Sequence, residues 1–329
     1  ELLAEIEADA GLRAGLRPYQ KRGVQWLWTL RGLELGGCLA DDMGLGKTIQ
    51  VLAVLSMSRL KKEQGTDLLV VPASLVDNWR REIERFAPQL EVLIAHPSRM
   101  PSSELRKLPK RRVAAHDAVI TTYGTAMRTE WMKAYPWRSV ILDEAQAIKN
   151  PGAQQTRAVK ALQSRWQLAL TGTPVENRLG DLWSIFDFLN PGLLGSARAF
   201  SRLSKSMASG KQGYAPLRRL VQPYVLRRLK TDQTVIADLP DKTEVNAYCL
   251  RSKRQAALYG QSVDELKRTI SELEGIQRRL VGPDFPRLEH GVIRALHRLG
   301  LAPRRGCQTQ QNGQATDRSF HHSLLRRLA

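Results

Sequence analysis

The segment Ala40–Thr48 reads ADDMGLGKT, and its residue types suit one task, the holding of phosphate. Phosphate oxygens need donors at close range, and Gly44 and Gly46 let backbone amides approach within a loop of Asp41, Asp42, Met43, Gly44, Leu45 and Gly46. A helical pattern (Ile49, Val51, Leu52, Val54, Leu55) follows, so the amides at its start add partial positive charge. Lys47 supplies a point charge for β- and γ-phosphates, and Thr48 a hydroxyl for Mg2+. Asp41 stands where the usual phosphate-loop pattern has its first glycine. Alone, the run could be an ordinary glycine turn, though the phosphate reading is the favoured one.

Downstream, Val140–Gln146 reads VILDEAQ. An apolar strand that ends in Asp143 and Glu144 is costly unless those carboxylates meet a cation or hydrogen-bond donors. Asp143 suits the shell of a Mg2+ ion, and Glu144 suits a base that orients an attacking water. A lone Asp-Glu pair is better explained as a solvated strand end. Paired with the Lys47 loop upstream, it reads as the other half of a nucleotide site.

Such residues must be held by a particular kind of scaffold. Short apolar runs, Gly37–Ala40, Leu68–Val71, Ala118–Thr121, Val140–Leu142 and Gln167–Leu170, alternate with helical text from Leu16 to about Leu189. That alternation predicts an α/β fold, a parallel sheet flanked by helices on both faces. Each run is followed at once by a polar or Gly/Pro-containing segment, at the strand ends where open α/β sheets bind ligands. After Asn190–Pro191–Gly192 the text turns basic and helical. Its last helix is expected to start at Ser252, with Tyr259, Val263, Leu266, Ile270, Leu273 and Leu280 forming a seam for a partner helix.

Composition sets the outer bounds. The chain has 329 residues, 42% hydrophobic and 25% charged, as in a globular protein without a membrane span. Lys plus Arg number 51 against 32 Asp plus Glu, a formal charge of +19 that favours polyanionic partners, nucleic acid first. Cys38, Cys249 and Cys307 form no C-x-x-C pair and suit a reducing, cytoplasmic setting; no zinc site is expected. Glu1 opens the chain without a signal segment, as an interior piece of a longer protein would. From Gln277 onward arginine occurs ten times and lysine never. That end could be an Arg-rich nucleic-acid tail, but a disordered or frame-shifted end is the preferred reading.

Taken in order, the motifs resemble the SWI/SNF-type ATPases of helicase superfamily two, from about Leu16 to Glu244. LRPYQ (Leu16–Gln20) with Gly23 and Trp26 looks like the family's adenine-side motif, and ADDMGLGKT like its phosphate loop, missing glycine included. VVPASLVDNW (Val70–Trp79) and ITTYGT (Ile120–Thr125) look like its first-lobe DNA-contact segments. DEAQAIKN (Asp143–Asn150) is similar to its Mg2+ box, with Gln146 where eukaryotic members more often have His, which points to a bacterial member. LTGTPVEN (Leu170–Asn177) with DLWSIFDFLNPG (Asp181–Gly192) resembles its coupling motif, and LRRLKTD (Leu226–Asp232) then LPDKTE (Leu239–Glu244) a further hallmark.

The resemblance implies a RecA-like P-loop lobe over residues 16–190, a helical lead-in over 1–15, a helical protrusion over 191–276 and a tail over 277–329 outside the fold. It implies that Gln20 reads adenine, that Lys47 and the amides of Asp41–Thr48 hold the phosphates of ATP, and that Thr48 and Asp143 serve Mg2+ while Glu144 positions water. Thr171, Gly172 and Thr173 would link nucleotide state to DNA grip. Pro72, Ala73, Ser74 and Thr122 would offer small side chains and free amides to the backbone of duplex DNA, without reading bases. Arg106, Lys107, Lys110, Arg111 and Arg112 form a solvated loop run that could touch DNA. Arg218, Arg219, Arg227, Arg228 and Lys230 fall where the family has its protrusion and brace, and a structural role is favoured for them.

The family motor has a second RecA-like lobe, and nothing after Gln277 resembles its motifs, so half an ATP site is expected here. The implied function is the ATP-binding first lobe of a double-stranded-DNA-stimulated ATPase and translocase, in the cytoplasm or on the nucleoid. A catalytically silent nucleic-acid-binding fragment and a strand-separating helicase of the same superfamily are the alternatives.

Overall fold

The five expected apolar runs become strands, and two further short strands join them. In chain order the elements are α1 (Pro18–Gly32), β1 (Gly37–Leu39), α2 (Lys47–Leu60), β2 (Asp67–Val71), α3 (Val76–Phe86), β3 (Val92–Ile94), α4 (Ser102–Arg106) and α5 (Lys110–Ala114). Then follow β4 (Ala118–Thr122), α6 (Tyr123–Arg128), α7 (Glu130–Ala134), β5 (Trp137–Leu142), α8 (Gln154–Lys160), β6 (Ser164–Leu170), α9 (Leu179–Leu189), α10 (Ala197–Ser209), α11 (Ala215–Val221) and β7 (Val225–Leu226). The computed structural model describes residues 11–172, 179–209 and 213–232, with helical positions 255, 257–261 and 264 beyond them. The chain divides into two units, and the first, reaching to Leu239, holds every element named above.

The strands form one seven-stranded sheet in the order β3-β4-β2-β5-β6-β1-β7. All its pairings are parallel. Alternate strand residues point to opposite faces, and each face has its own core. Leu39, Leu69, Val71, Ile120, Ile141, Leu168 and Leu170 pack under α1, α2 and α3, against Val24, Leu27, Val51, Leu52, Leu55, Trp79 and Ile83. Cys38, Leu68, Val70, Val119, Val140, Leu142 and Ala169 face the other way, toward Leu105, Val113, Ala126, Met132, Val159 and Ile185 on α4–α9. Because both faces are covered, β2, β4 and β5 are buried at every position. That is why they read as unbroken apolar text.

Of the expected helical protrusion over 191–276, the structure describes residues 191–209 and 213–232 and scattered positions beyond them. α9 packs Leu182 and Phe186 against Phe200 and Met207 of α10 and Leu217 and Val221 of α11. The chain then returns to the sheet, where β7 pairs with β1 in the register Cys38↔Val225 and Leu39↔Leu226. In the basic run, Arg106 ends α4, Lys107 lies in the turn after it, and Lys110, Arg111 and Arg112 open α5, anchored by buried Leu105, Leu108 and Val113. α5 runs into the start of β4, at the sheet edge opposite the ends that carry the candidate site. Residues 1–10, the segment Leu239–Glu244, the cap at Ser252 with most of its seam, and the tail from 277 lie outside the described residues.

Candidate nucleotide site

Three neighbouring strands, β5, β6 and β1, end together and present Asp143, Thr171 and the phosphate loop side by side. The loop leaves β1 at Ala40 and enters α2 at Lys47. Gly44 (φ 85°) and Gly46 (φ 76°) are left-handed there, a conformation that a side chain makes costly. A Cβ on Gly46 would also lie 2.4 Å from Gln20 Nε2. The two glycines are therefore needed for the turn itself as well as for ligand approach.

Lys47 Nζ donates to the carbonyls of Asp41 (2.6 Å) and Asp42 (3.4 Å), folded back into its own loop. Burial holds its pKa below the ordinary lysine value, against the pull of Asp41, Glu144, Asp143 and Asp42. Thr48 is half-buried in the first turn of α2. Met43 projects into solvent, 77% exposed, whereas Leu45 is fully buried. Gln20 lies in the first turn of α1, and its Oε1 accepts from Arg17 N (2.9 Å). Gln20 Nε2 and the Tyr19 hydroxyl both donate to Leu45 O at 3.2 Å. Each end of the Gln20 amide thus has one partner within the protein, which leaves a second N–H and a second lone pair for a ligand.

The Asp41 side chain is fully buried. Arg228, just past β7 and 7% exposed, closes on it: Nε donates to Oδ1 (2.9 Å), Nη2 pairs with Oδ2, and the Arg228 amide also reaches Oδ1 (3.1 Å). Arg228 Nη2 further donates to Gln50 Oε1 (2.7 Å), and Nη1 to Tyr19 O. Lys230 N bonds Asp42 Oδ2 at 3.1 Å. Asp41 thus serves the cradle through its backbone carbonyl, not its carboxylate. A buried aspartate at a glycine position was itself the signal, since it demands a counterion somewhere in the chain.

At the end of β5 the carboxylate of Asp143 is held by both oxygens. Trp79 Nε1 donates to Oδ2 (2.8 Å) and Glu144 N to Oδ1 (2.9 Å). Burial pushes its pKa up, opposed first by the Trp79 bond. The Tyr123 hydroxyl donates to Asp143 O at 2.7 Å, and burial keeps that phenol protonated far into alkali. Glu144 is left-handed (φ 50°), unusual for a residue with a side chain. Gln146 Nε2 donates to Glu144 Oε2 (2.5 Å), while Thr171 Oγ1 donates to Gln146 Oε1 (2.9 Å). A continuous line of hydrogen bonds thus joins the end of β5 to the end of β6. Gly172 follows Thr171, and Thr173 lies outside the described residues.

The candidate DNA residues are split. Pro72 caps a 3-10 turn, Ala73–Leu75, in which Ala73 and Ser74 are exposed. Thr122 stands beside this turn, since Val71 and Thr122 are register partners. Its side chain, however, is buried and caps α6, accepting from Thr125 N (3.2 Å) and donating to Thr125 Oγ1 (2.9 Å). The Thr122 hydroxyl is thus engaged in the helix cap.

Known proteins share this chain's sequence and fold. The profile of the SNF2-related domain matches residues 19–292. The putative ATP-dependent helicase/translocase YwqA of Bacillus subtilis (strain 168) is 40% identical over 288 residues, 85% of this chain and 30% of that protein. The Zorya protein ZorD of Escherichia coli O139:H28 is 37% identical over 334 residues, 91% of this chain and 30% of its own length. Among solved structures, the Sulfolobus solfataricus SWI2/SNF2 ATPase core in complex with dsDNA superposes with a TM-score of 0.64 at 38% identity, covering 88% of this chain and 58% of that one. The core domain without DNA gives 0.65 at 36% identity, over 91% and 61%. The chain therefore spans about a third of these curated relatives.

Proposed function

Since the chain belongs to the SNF2-related family and has the RecA-like fold of its ATPase cores, we propose that it is the ATP-binding first lobe of a duplex-DNA-stimulated ATPase and translocase. The observation that carries the reading is that Lys47, beyond the end of β1, and Asp143 and Glu144, at the end of β5, lie within electrostatic reach of one another on either side of β6. Their chemistry fits Mg-ATP. Among the described residues, Lys47 is a desolvated cation whose ammonium donates to loop carbonyls, and Asp143 a desolvated carboxylate whose two donors are both neutral. An anion at the first and a cation at the second would each offset the cost of burial.

In this reading Lys47 leaves the carbonyls of Asp41 and Asp42 to bind the β- and γ-phosphates, joined by the amides of Gly44–Thr48. Thr48 and Asp143 hold Mg2+, which when bound neutralises charge on the phosphate oxygens. Glu144 accepts a hydrogen bond from the attacking water and aligns it, and Gln146 relays its position to Thr171. Gln20 takes the adenine edge. Ala73 and Ser74 offer amides and a hydroxyl to the DNA backbone, which holds a strand without reading bases. The YwqA relative is described as a helicase/translocase and the archaeal core was solved on dsDNA, which supports the DNA half. The arginines that stabilise the transferred phosphoryl group come from a second lobe in the family this chain resembles, so turnover by this chain alone is slow.

Thermal unfolding with Mg-ATP, run beside phosphate release with and without duplex DNA, tests the proposal. Saturating nucleotide should stabilise the wild type by about 2.7 kcal/mol at a hundredfold excess over Kd. Lys47→Ala should abolish that shift, and Glu144→Gln should keep it while losing turnover. No ATP-dependent shift in the wild type would refute the nucleotide site. Strong DNA-stimulated hydrolysis by this chain alone would refute the half-site.

A further inference from the structure

An indole has one N–H donor and no acceptor, so a buried tryptophan must find one partner, and a backbone carbonyl usually serves. Among the described residues that is what Trp131, Trp137 and Trp166 do, donating to Leu105 O, Met132 O and Leu35 O at 2.8, 2.8 and 2.9 Å. Trp26 and Trp183 likewise donate to carbonyls, of Pro223 and Gly195. Trp79 departs from this habit. It is 1% exposed within the core under α3, yet its N–H goes to a carboxylate, Asp143 Oδ2, at 2.8 Å. The other oxygen, Oδ1, accepts from Glu144 N at 2.9 Å. Each oxygen has one fixed donor, which sets the rotation of the carboxyl group and leaves each a further lone pair.

We propose that Trp79 is a positioning residue for the divalent cation, holding the Asp143 carboxylate in the orientation that binds metal. The inference rests on the reading of Asp143 as a Mg2+ ligand beside ATP. Three features make Trp79 suited to the task. Its ring is locked by packing against the sheet, so its N–H has a fixed direction. Its donor is neutral, so it orients the carboxylate without competing with the cation for charge, as a lysine or arginine would. It stands on α3, an element separate from the strand that carries Asp143, so the constraint comes from across the sheet. Outer-shell donors of this kind are typically worth ten- to a hundredfold in metal affinity.

The test uses this chain with Mg2+ and a fluorescent ATP analogue, and separates metal binding from nucleotide binding. Analogue affinity is titrated against Mg2+ for wild type, Trp79→Phe, Trp137→Phe and Asp143→Asn, and bound Mn2+ is counted by electron paramagnetic resonance in the presence of ATP. Trp79→Phe should need about tenfold more Mg2+ for half-maximal binding, with metal-free affinity unchanged and Mn2+ binding weakened in parallel. Trp137→Phe removes a donor to a mere carbonyl and should leave the Mg2+ requirement at the wild-type value, even if it unfolds more easily. Should Trp79→Phe fail to fold, benzothienylalanine at position 79 keeps the ring shape and replaces the N–H with sulfur, and the same shift is expected of it. A wild-type Mg2+ requirement in a folded position-79 variant overturns the proposal, and so does an equal loss of affinity with and without metal. If the wild type itself binds the analogue without regard to Mg2+, the nucleotide reading falls and this inference falls with it. If the wild type depends on Mg2+ and position 79 does not matter, only the inference falls.

Discussion

Arg228 lies against Asp41 although 187 positions separate them, and both are buried. The pair ties the strand that returns from the helical segment to the phosphate loop, with Gln50 and Tyr19 completing the guanidinium's partners. Removing one member of a buried pair strands the other charge, so Arg228→Met should destabilise the fold by about 3–5 kcal/mol. The double variant Asp41→Leu with Arg228→Met should recover most of that loss, because no charge is left alone. Urea unfolding of the singles and the double checks this. Additive losses would show that the two residues act independently.

Glu144 should reveal a conflict between stability and function. Its backbone is left-handed, which for a residue with a Cβ costs on the order of 1 kcal/mol. Glu144→Gly and Glu144→Ala both delete the carboxylate and its bond from Gln146, but only glycine relieves the backbone. Glycine should therefore be the more stable of the two by about 1 kcal/mol, the reverse of the order in a helix interior. Both should bind ATP and neither should hydrolyse it. Chemical denaturation of the two side by side settles the point, and equal stabilities would mean that the turn relaxes without strain.

Binding to duplex DNA should be non-specific and steeply dependent on salt. The formal charge is +19, and the exposed turn at Ala73 and Ser74 offers contacts for phosphates rather than base edges. Each phosphate neutralised should contribute a slope of about −0.9 in log K against log salt. Fluorescence anisotropy on two unrelated duplexes should give similar affinities at every salt concentration. A strong preference for one sequence, or no response to salt, would remove DNA-backbone binding from the proposed function.

Cys38 should be inert until the protein unfolds. It lies in β1 at 1% exposure, and burial pushes its thiol up to about 12. The native thiol therefore stays protonated through moderately alkaline pH, whereas the unfolded thiol ionises near the usual value of about 8.5. A raised acid of this kind leaves stability intact below the unfolded value, and stability falls as pH climbs from there toward about 12. Iodoacetamide labelling at pH 9 followed by peptide mass spectrometry should leave Cys38 unmodified in the native chain and modified in urea. Rapid native labelling would show that β1 opens locally.

The sequence by itself determined the α/β class and five of the seven strands. Those features are local. A strand buried on both faces is written as an apolar run, and three-residue β1 was marked by the glycine-rich loop that follows it. β3, equally short, has no such loop after it, and β7, with two residues, is too short to show a period; the pairing of both is decided by neighbours far along the chain. The same distance hid what completes the site. Asp41 finds its counterion in Arg228, Asp143 its donor in Trp79 and Gln146 its partner in Thr171 only once the sheet order has brought β7, α3 and β6 into place. Thr122 suited a phosphate contact and a helix cap alike by type, and the structure engages its hydroxyl in the cap of the helix that begins after β4. Residue types are set by sequence, whereas a polar group's partner is chosen by what folding places within 3 Å or so of it, and only the tertiary structure decides that.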